Sequence, residues 1–350
     1  MVDSPTDVAA LLLGWYARHA RTLPWRNPPG AALPADPDWP YRVWLSEIML
    51  QQTTVAAVQP YFAAFAARWP TVAALAAADD AAVMQAWAGL GYYARARNLL
   101  ACARAVVARH GGRFPADEAA LRDLPGIGDY TAAAVAAFGF GRHAIVIDGN
   151  VERLVTRLHA VAIPLPAARA AIRARLVAIV PADAAGDFAQ AMMDLASRIC
   201  TPRNPQCLVC PLQSDCDGAA SGDPTRFPIK PPKRARPMRH GTAWWIEAEG
   251  EVLTITRPAK GLLGGMKALP SCDWRGDSVA PIDGAWHDLG TVTHGFTHFE
   301  LVLAVKGLRL AAKPALAGQW LRVAELDGAG LPTLFDKAAV LARARMDEVA

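Results

Sequence analysis

The sequence has no hydrophobic run that suits a membrane span. Its longest stretch without a charged residue, residues 48–67, contains three glutamines and a proline, whereas a membrane helix needs about 20 predominantly apolar residues. The N-terminus carries Asp3 and Asp7 and has no basic flank before its first apolar run, so it does not resemble a secretory signal. We therefore expect a cytoplasmic protein without a transmembrane helix.

An excess of charge of one sign is also lacking, because the formal net charge is only +4. Residues 1–240 hold 25 basic against 19 acidic side chains, and residues 241–350 hold 11 against 13. The basic first part suits a polyanionic partner, since lysine and arginine gain free energy by releasing counterions from phosphates, although many basic surfaces are merely solvated. With 350 residues, 53% of them hydrophobic, the chain can form two folded domains.

Cysteine is scarce, with six residues in the whole chain, which argues against a disulfide scaffold. Four of them have the spacing C-x6-C-x2-C-x5-C in a proline-rich loop, which can fold four thiolates around one centre. Sulfur ligands suit zinc or an iron–sulfur cluster. The single tight C-x2-C pair favours a cluster, whose iron corners lie farther apart. Buried thiols without a metal and, more rarely, a catalytic thiol are the other interpretations. The four are Cys200, Cys207, Cys210 and Cys216.

Helical periodicity fills residues 6–220, and short β-prone runs with glycine-rich turns follow residue 240. A proline-rich stretch at residues 27–40 is predicted as an extended surface loop. The predicted helices are residues 7–20, 43–66, 71–88, 91–110, 117–124, 130–138, 149–160, 168–180 and 187–199. The later part predicts strands at residues 242–246, 251–256 and 299–305 and a closing helix at residues 334–345.

This change of pattern predicts two domains with different folds. Residues 1–222, with the cysteine loop at residues 200–216, are expected to form a mainly α domain. Residues 223–240 read as a basic, proline-rich, semi-stiff linker. Residues 241–350 are expected to form an α+β domain.

The motif Leu124-Pro125-Gly126-Ile127-Gly128 predicts a tight turn between two short helices. Its glycines let the backbone approach a ligand, and the amides that begin the second helix point outward, as in sites for a backbone phosphate. A glycine-rich turn alone is more often only a turn. The cysteine loop in the same domain favours the phosphate-binding interpretation.

These two motifs together resemble the helix-hairpin-helix superfamily of DNA glycosylases, which carry L-P-G-[IV]-G and the same cysteine spacing. Residues 23–26 (LPWR), 45–53 (LSEIMLQQT) and 89–99 (GLGYYARARNL) resemble signature stretches of the MutY-type adenine DNA glycosylases. The resemblance is dense over residues 8–217 and weak beyond them. It implies a helix-hairpin-helix glycosylase domain with an iron–sulfur loop, one 4Fe-4S cluster, a Nudix-like C-terminal domain and a monomer. The implied substrate is double-stranded DNA with adenine opposite 8-oxoguanine or guanine.

Two carboxylates are the candidates for excision chemistry. The leaving base needs a proton and the sugar cation needs a negative charge, and carboxylates in different environments can divide these tasks. Apolar neighbours should raise the pKa of Glu47 so that it acts as general acid, and Asp148 at a helix N-terminus should stay ionised. The resemblance implies these roles, a retaining course, and support from Asn150 and Tyr130. By residue type alone, Glu47 also suits a solvated helix position and Asp148 an ordinary N-cap.

Tyr130 decides between two branches of the superfamily. Relatives of the endonuclease III type place a lysine there, and without an amine no Schiff base can form. The sequence therefore predicts base removal with little or no strand cleavage. Two alternatives stay open: an endonuclease III-like pyrimidine-lesion glycosylase with lyase activity, and a noncatalytic iron–sulfur DNA-binding protein.

Flipping adenine out of the duplex costs a few kcal/mol of stacking and pairing, so other side chains must fill the gap. The resemblance implies that Gln52 and Tyr92 wedge and stack and that Thr53 and Leu90 lie beside 8-oxoguanine, although Tyr92 also suits a protein core. The extended loop that follows Arg26 leaves the placement of this arginine open. The predicted DNA-binding residues are Arg21, Arg26, Gln51, Gln52, Thr53, Leu90, Gly91, Tyr92, Gly126, Ile127, Gly128, Phe296, Thr297 and His298.

The C-terminal part resembles a Nudix domain that has lost its hydrolytic metal site. Residues 264–284 hold three aspartates but no glutamate, whereas a Nudix hydrolase needs a glutamate-dense helix for its divalent metal. Nucleotide hydrolysis is therefore not expected. Residues 293–298 (THGFTH) resemble the family's F-[ST]-H loop, which inspects 8-oxoguanine. Metal binding by His294 and His298 is the alternative, but no further ligand lies beside them in the sequence.

Overall fold

Residues up to 222 fold as successive helices, as their periodicity predicts. The computed structural model describes residues 5–231, 235–258, 261–274, 279–296 and 298–348, with side chains described from residue 8 onward. Two units are present, one within residues 1–86 and 95–232 and the other within residues 87–94 and 233–350. Of the helices in the described ranges, none has the length and apolar character needed to cross a bilayer.

The helices of the first unit confirm the mainly α prediction. They are α1 (Pro5–His19), α2 (Trp39–Leu50), α3 (Val55–Arg68), α4 (Val72–Ala76), α5 (Asp80–Ala86), α6 (Ala94–His110), α7 (Glu118–Arg122), α8 (Asp129–Ala134), α9 (Gly149–Leu158), α10 (Arg169–Ile179), α11 (Ala185–Arg198) and α12 (Asp217–Ala220). A π-helical turn, Val135–Gly139, continues α8. Short 3-10 turns follow at Cys207–Val209 and Pro224–Arg226.

The single helix predicted at residues 43–66 is wrong, because the chain breaks between α2 and α3. Gln52 has a φ of 57°, a left-handed conformation that cannot continue a right-handed helix. Thr54 then caps α3 by accepting a hydrogen bond from the Ala57 amide at 3.3 Å. The predicted helix at residues 71–88 is likewise divided into α4 and α5.

The predicted turn between two short helices is confirmed, since α7 and α8 flank residues 123–128. Gly126 has a φ of 76°, and a Cβ atom there would lie 2.7 Å from the Cβ of Asn98, so only glycine fits without displacement. The turn after α8 packs against α2, where the Trp39 indole donates to the Phe138 carbonyl at 3.0 Å. This packing brings the first turns of α8 close to the buried middle of α2.

The second unit contains a mixed sheet with one helix packed on it, as the α+β prediction requires. The order is β3-β2-β1-β5-β4, and β6 also pairs with β2. β1 and β5 run parallel, in the register from Met238 opposite Glu300 to Ala248 opposite Leu310. The strands are β1 (Met238–Ala248), β2 (Glu251–Thr256), β3 (Lys267–Ala268), β4 (His287–Gly295), β5 (Glu300–Leu310) and β6 (Gln319–Arg322).

The last helix, α13 (Thr333–Met346), confirms the predicted closing helix and supplies one side of the second core. Trp245 and Leu303 from the sheet and Phe335 from α13 are fully buried in this core. Strand β4 was not predicted, because exposed polar side chains alternate with half-buried positions along it and leave a weak apolar pattern.

Candidate active site and cysteine cavity

Glu47 is a buried acid on α2, with 7% of its surface exposed. The Tyr130 hydroxyl, from the first turn of α8, donates to Glu47 Oε2 at 2.7 Å. Burial raises the pKa of Glu47 to about 7, while the hydrogen bond from Tyr130 and the charge of Arg26 lower it and the charge of Asp148 raises it. Near neutral pH such a carboxyl group can hold a proton and release it, as a general acid must. Burial also raises the pKa of Tyr130, so its hydroxyl stays protonated.

Asp148 is the N-cap of α9, and its backbone is extended. Its Oδ1 accepts from the amides of Asn150 at 2.9 Å and Val151 at 2.7 Å, and its Oδ2 accepts from the Asn150 side-chain amide at 2.8 Å. The positive end of the helix dipole favours an anion there. Because its charge acts on Glu47, Asp148 lies within electrostatic range of the acid while it caps α9.

A chain of hydrogen bonds leads from Asp148 to the cysteine loop. Asn150 Oδ1 accepts from Arg153 Nη2 at 3.0 Å. The buried Arg153 guanidinium also donates to the carbonyl oxygens of Ala196 at 2.7 Å and Cys200 at 2.9 Å. The orientation of the side chain that holds Asp148 is therefore tied to the first cysteine of the loop.

Arg21 and Arg26, both predicted to bind DNA, meet at a buried carboxylate that the sequence reasoning missed. Asp194 on α11 is 0% exposed. Its Oδ1 accepts from Arg21 Nε at 2.7 Å and Arg26 Nη1 at 2.9 Å, and Arg26 also contacts Oδ2 at 2.9 Å. This pairing fixes Arg26, whose charge lowers the pKa of Glu47. The sequence does contain a signal for this buried carboxylate, because Asp194 lies on an otherwise apolar helix face, four residues after Gln190.

The predicted wedge residue Gln52 lies in the loop between α2 and α3. Gln52 is exposed, and Gln51 and Thr53 on either side are half-buried. In the second unit, Leu90 is buried, and Gly91 accepts from the Trp87 indole at 3.1 Å. Tyr92 is 55% exposed, so it is not a core aromatic.

The hairpin exposes its two glycines and buries the residue between them. Gly126 and Gly128 are exposed, and Ile127 is 6% exposed. Gly128 is the N-cap of α8, with extended backbone. The surface of the turn is therefore backbone, anchored by an apolar side chain.

The four predicted metal ligands line one cavity. Arg157 Nη1 donates to Cys200 Sγ at 3.3 Å and to the Thr201 carbonyl at 2.7 Å, which fixes the loop on α9. Across the described ranges, no three His, Cys, Asp or Glu side chains converge on a position for one metal ion. The four thiols share this cavity, and four thiolates are the ligand set of an iron–sulfur cluster.

The predicted lesion-reading loop lies at the end of β4. Phe296 stacks on Phe299 with ring centroids 4.7 Å apart and lies 5.7 Å from Trp274. His298 is exposed, and Thr297 lies outside the described residues. His294 packs edge-on against Phe296 at 4.8 Å. The described part of the loop is an aromatic platform with a histidine at its surface.

The family comparisons agree with this arrangement. Residues 45–177 match the HhH-GPD superfamily of base excision DNA repair proteins, residues 200–216 match the iron–sulfur binding domain of endonuclease III, and residues 241–340 match the NUDIX domain. A thermostable thymine-DNA glycosylase is 27% identical, with a TM-score of 0.55 over 62% of this chain and 97% of that chain. An endonuclease III from a non-covalent DNA complex is 23% identical, with a TM-score of 0.52 over 61% and 94%, and shows the shared fold. The protein is thus a helix-hairpin-helix DNA N-glycosylase with a C-terminal Nudix domain.

Individual relatives give a more specific assignment. Adenine DNA glycosylase of Homo sapiens is 32% identical over 96% of this chain and 74% of that protein. The Mus musculus enzyme is 33% identical over 95% and 77%, and that of Mycolicibacterium smegmatis is 40% identical over 61% and 70%. The chain belongs to the adenine DNA glycosylase family. It is a DNA-binding enzyme of base excision repair, and its cysteine loop holds one 4Fe-4S cluster.

Proposed function

We propose that this adenine DNA glycosylase acts as a monomer on double-stranded DNA and removes adenine opposite 8-oxoguanine or guanine without cleaving the strand. The observation that carries the proposal is the Glu47–Tyr130 pair. A buried acid with a pKa of about 7 is held at 2.7 Å by a phenol at the position where a lyase needs an amine. This pair, within range of Asp148, supports proton donation to a base and gives no Schiff-base nucleophile.

The chemistry follows from these side chains. Glu47 gives its proton to a ring nitrogen of the extruded adenine, and the bond between that base and the sugar breaks. Asp148 faces the resulting sugar cation and forms a transient ester bond with its anomeric carbon, as in retaining glycosidases. Water then attacks that carbon, releases Asp148 and returns a proton to Glu47. Tyr130 orients Glu47, and Asn150 orients Asp148.

The cluster contributes to architecture in this proposal. When bound, it cross-links Cys200, Cys207, Cys210 and Cys216 and so fixes the loop against α9, the helix that begins at Asp148. Arg153 and Arg157 connect the same loop to α9 through hydrogen bonds. The nucleotide-hydrolysing activity of Nudix enzymes is not part of the proposal.

For DNA binding we propose three surfaces. The hairpin backbone at Gly126, Ile127 and Gly128 binds a phosphate. Gln51, Gln52 and Thr53, with Leu90, Gly91 and Tyr92, fill the duplex around the orphan base. Phe296, Thr297 and His298 read 8-oxoguanine, and Arg21 and Arg26 stay near the substrate pocket. The exposure of Gln52, Tyr92 and His298 supports these roles.

The test is a glycosylase assay on duplexes with adenine opposite 8-oxoguanine, guanine or thymine, each analysed with and without alkali. We expect adenine loss from the first two duplexes and strand breaks only after alkali. Borohydride should trap no covalent adduct, because Tyr130 offers no amine. A trapped adduct would instead favour a lyase. A DNA substrate supports a cytoplasmic location, at the nucleoid in a bacterium. We also propose that residues 1–222 form the catalytic domain, residues 223–240 the linker and residues 241–350 the Nudix domain.

A further inference from the structure

The first turn of α6 carries a buried arginine that the mechanism above does not use. Arg95 is 8% exposed. Its Nη1 donates to the carbonyl oxygens of Ile48 at 3.0 Å and Met49 at 2.8 Å, and its Nη2 donates to Thr53 Oγ1 at 3.3 Å. One guanidinium therefore joins the last turn of α2 to the loop at residues 51–54.

The chemistry of these contacts favours arginine. The last carbonyl groups of a helix have no partner within the helix, and a cation at this end is favoured by the helix dipole. The planar guanidinium reaches several acceptors at once, which a lysine ammonium on a flexible stem does less well. The bonds continue beyond Arg95, because the Thr53 hydroxyl donates to the Gln51 carbonyl at 3.3 Å.

These contacts enclose the strained residue of the loop. Gln52 lies between Gln51 and Thr53, is exposed, and has a φ of 57°. A residue other than glycine keeps this conformation only when its surroundings fix it. The hydrogen bonds from Arg95 fix the backbone before Gln52 and the side chain directly after it.

We propose that Arg95 is a positioning residue that holds Gln52 in the conformation that enters the duplex, and thereby acts on extrusion of adenine rather than on bond cleavage. The inference rests on the proposed function, in which Gln52 fills the space that the adenine leaves. Glu47 keeps its own partner, Tyr130, so the acid stays in place when the contacts of Arg95 are removed.

Extrusion can be measured apart from cleavage in a Glu47→Gln background. The probe is a duplex with 2-aminopurine opposite 8-oxoguanine, because the fluorescence of this adenine analogue rises when it leaves the base stack. We expect Glu47→Gln to give the rise and the added Arg95→Gln to lower its rate or amplitude at least about tenfold, the effect of losing even one of the three hydrogen bonds described above. Arg95→Lys, which keeps the charge, should restore part of the signal.

Arg104, on the same helix, is the matched control. Its guanidinium donates to the carbonyl oxygens of Ala76 and Ala78, both at 3.2 Å, and to Asp80 Oδ1 at 2.7 Å. It therefore binds carbonyl groups at the end of α4, as Arg95 does at the end of α2, but from an exposed position. Arg104→Gln should leave the fluorescence rise unchanged, and thermal unfolding of each variant reports its folded fraction.

An unchanged rise in Glu47→Gln/Arg95→Gln protein overturns the inference, and so does an equal loss in the Arg104 variant. If the wild-type protein releases adenine and the Arg95→Gln variant releases it equally fast, the inference is overturned and the proposed function stands. Wild-type protein that releases no adenine from any mispair overturns the proposed function, and the inference falls with it.

Discussion

The hydroxyl of Tyr130 should set the upper pH limit of excision. Tyr130→Phe removes the 2.7 Å hydrogen bond to Glu47 Oε2 and little else, since the two side chains have nearly the same shape. The hydrogen bond favours the charged form of Glu47 and lowers its pKa against the opposing effect of burial. Without it the pKa of Glu47 should rise above its present value of about 7.

The size of the pKa shift follows from the energy of the lost hydrogen bond. A hydrogen bond to a charged group contributes about 1.5–3 kcal/mol, and one pKa unit corresponds to about 1.4 kcal/mol. As the proposed general acid, Glu47 must be protonated to act, so the rate should fall as pH rises through its pKa. The alkaline limb of the single-turnover rate should therefore move up by about one to two pH units in Tyr130→Phe. The assay is adenine release from a duplex with adenine opposite 8-oxoguanine, measured between about pH 5 and pH 10.

Tyr41 provides the control. Tyr41 lies on α2, the helix that carries Glu47. It is 1% exposed, and its hydroxyl donates to the Trp69 carbonyl at 2.8 Å. Tyr41→Phe removes a buried, hydrogen-bonded hydroxyl without touching Glu47, so it should leave the alkaline limb in place. If the limb stays unchanged in Tyr130→Phe, or moves to lower pH, the assignment of Glu47 as the titrating acid is refuted.

Three further substitutions test stability by thermal or denaturant unfolding. The pKa of Glu47 in the folded protein is raised from 4.5 to about 7, so its stabilising contribution is complete below pH 4.5 and is lost as the pH rises to about 7. Glu47→Gln should therefore stabilise the protein by up to about 3 kcal/mol at pH 8 and not at pH 4.5. The same difference between variant and wild type at both pH values would contradict this. Gly126→Ala should cost about 1–3 kcal/mol, whereas Gly128→Ala, with open space around its Cβ, should cost less. Asp194→Asn leaves two arginines without their buried partner and should cost about 3–5 kcal/mol, against about 0.5 kcal/mol for Asp187→Asn nearer the surface of the same helix.

The parts of the site that sequence could predict are local. The cysteine spacing, the hairpin turn and the helix-capping position of Asp148 each depend on neighbours within one loop or turn. The hydrogen bond from Tyr130 to Glu47 joins residues 83 positions apart, and periodicity contains no information about such a pair. Their pairing results from the packing of α8 on α2.

The errors have equally specific causes. Residues 51–54 contain neither glycine nor proline, so the local sequence has no strong helix breaker, and contacts from Arg95, which is distant in sequence, hold the loop that divides the helix. Asp194 lies in a helix whose apolar pattern predicted only core packing, because its two arginine partners precede it by 168 and 173 positions. Both features arise from tertiary contacts that override local preference.

The parallel pairing of β1 with β5 has a consequence for the order of events during synthesis. The two strands align from Met238 opposite Glu300, so the centre of the sheet closes only after some sixty further residues have been made. The Glu47–Tyr130 contact joins α2 and α8, which both precede residue 222 in the chain. Domains generally fold as units on the ribosome, with the N-terminal one first. The contact between Glu47 and Tyr130 can therefore form before β5 has been synthesised.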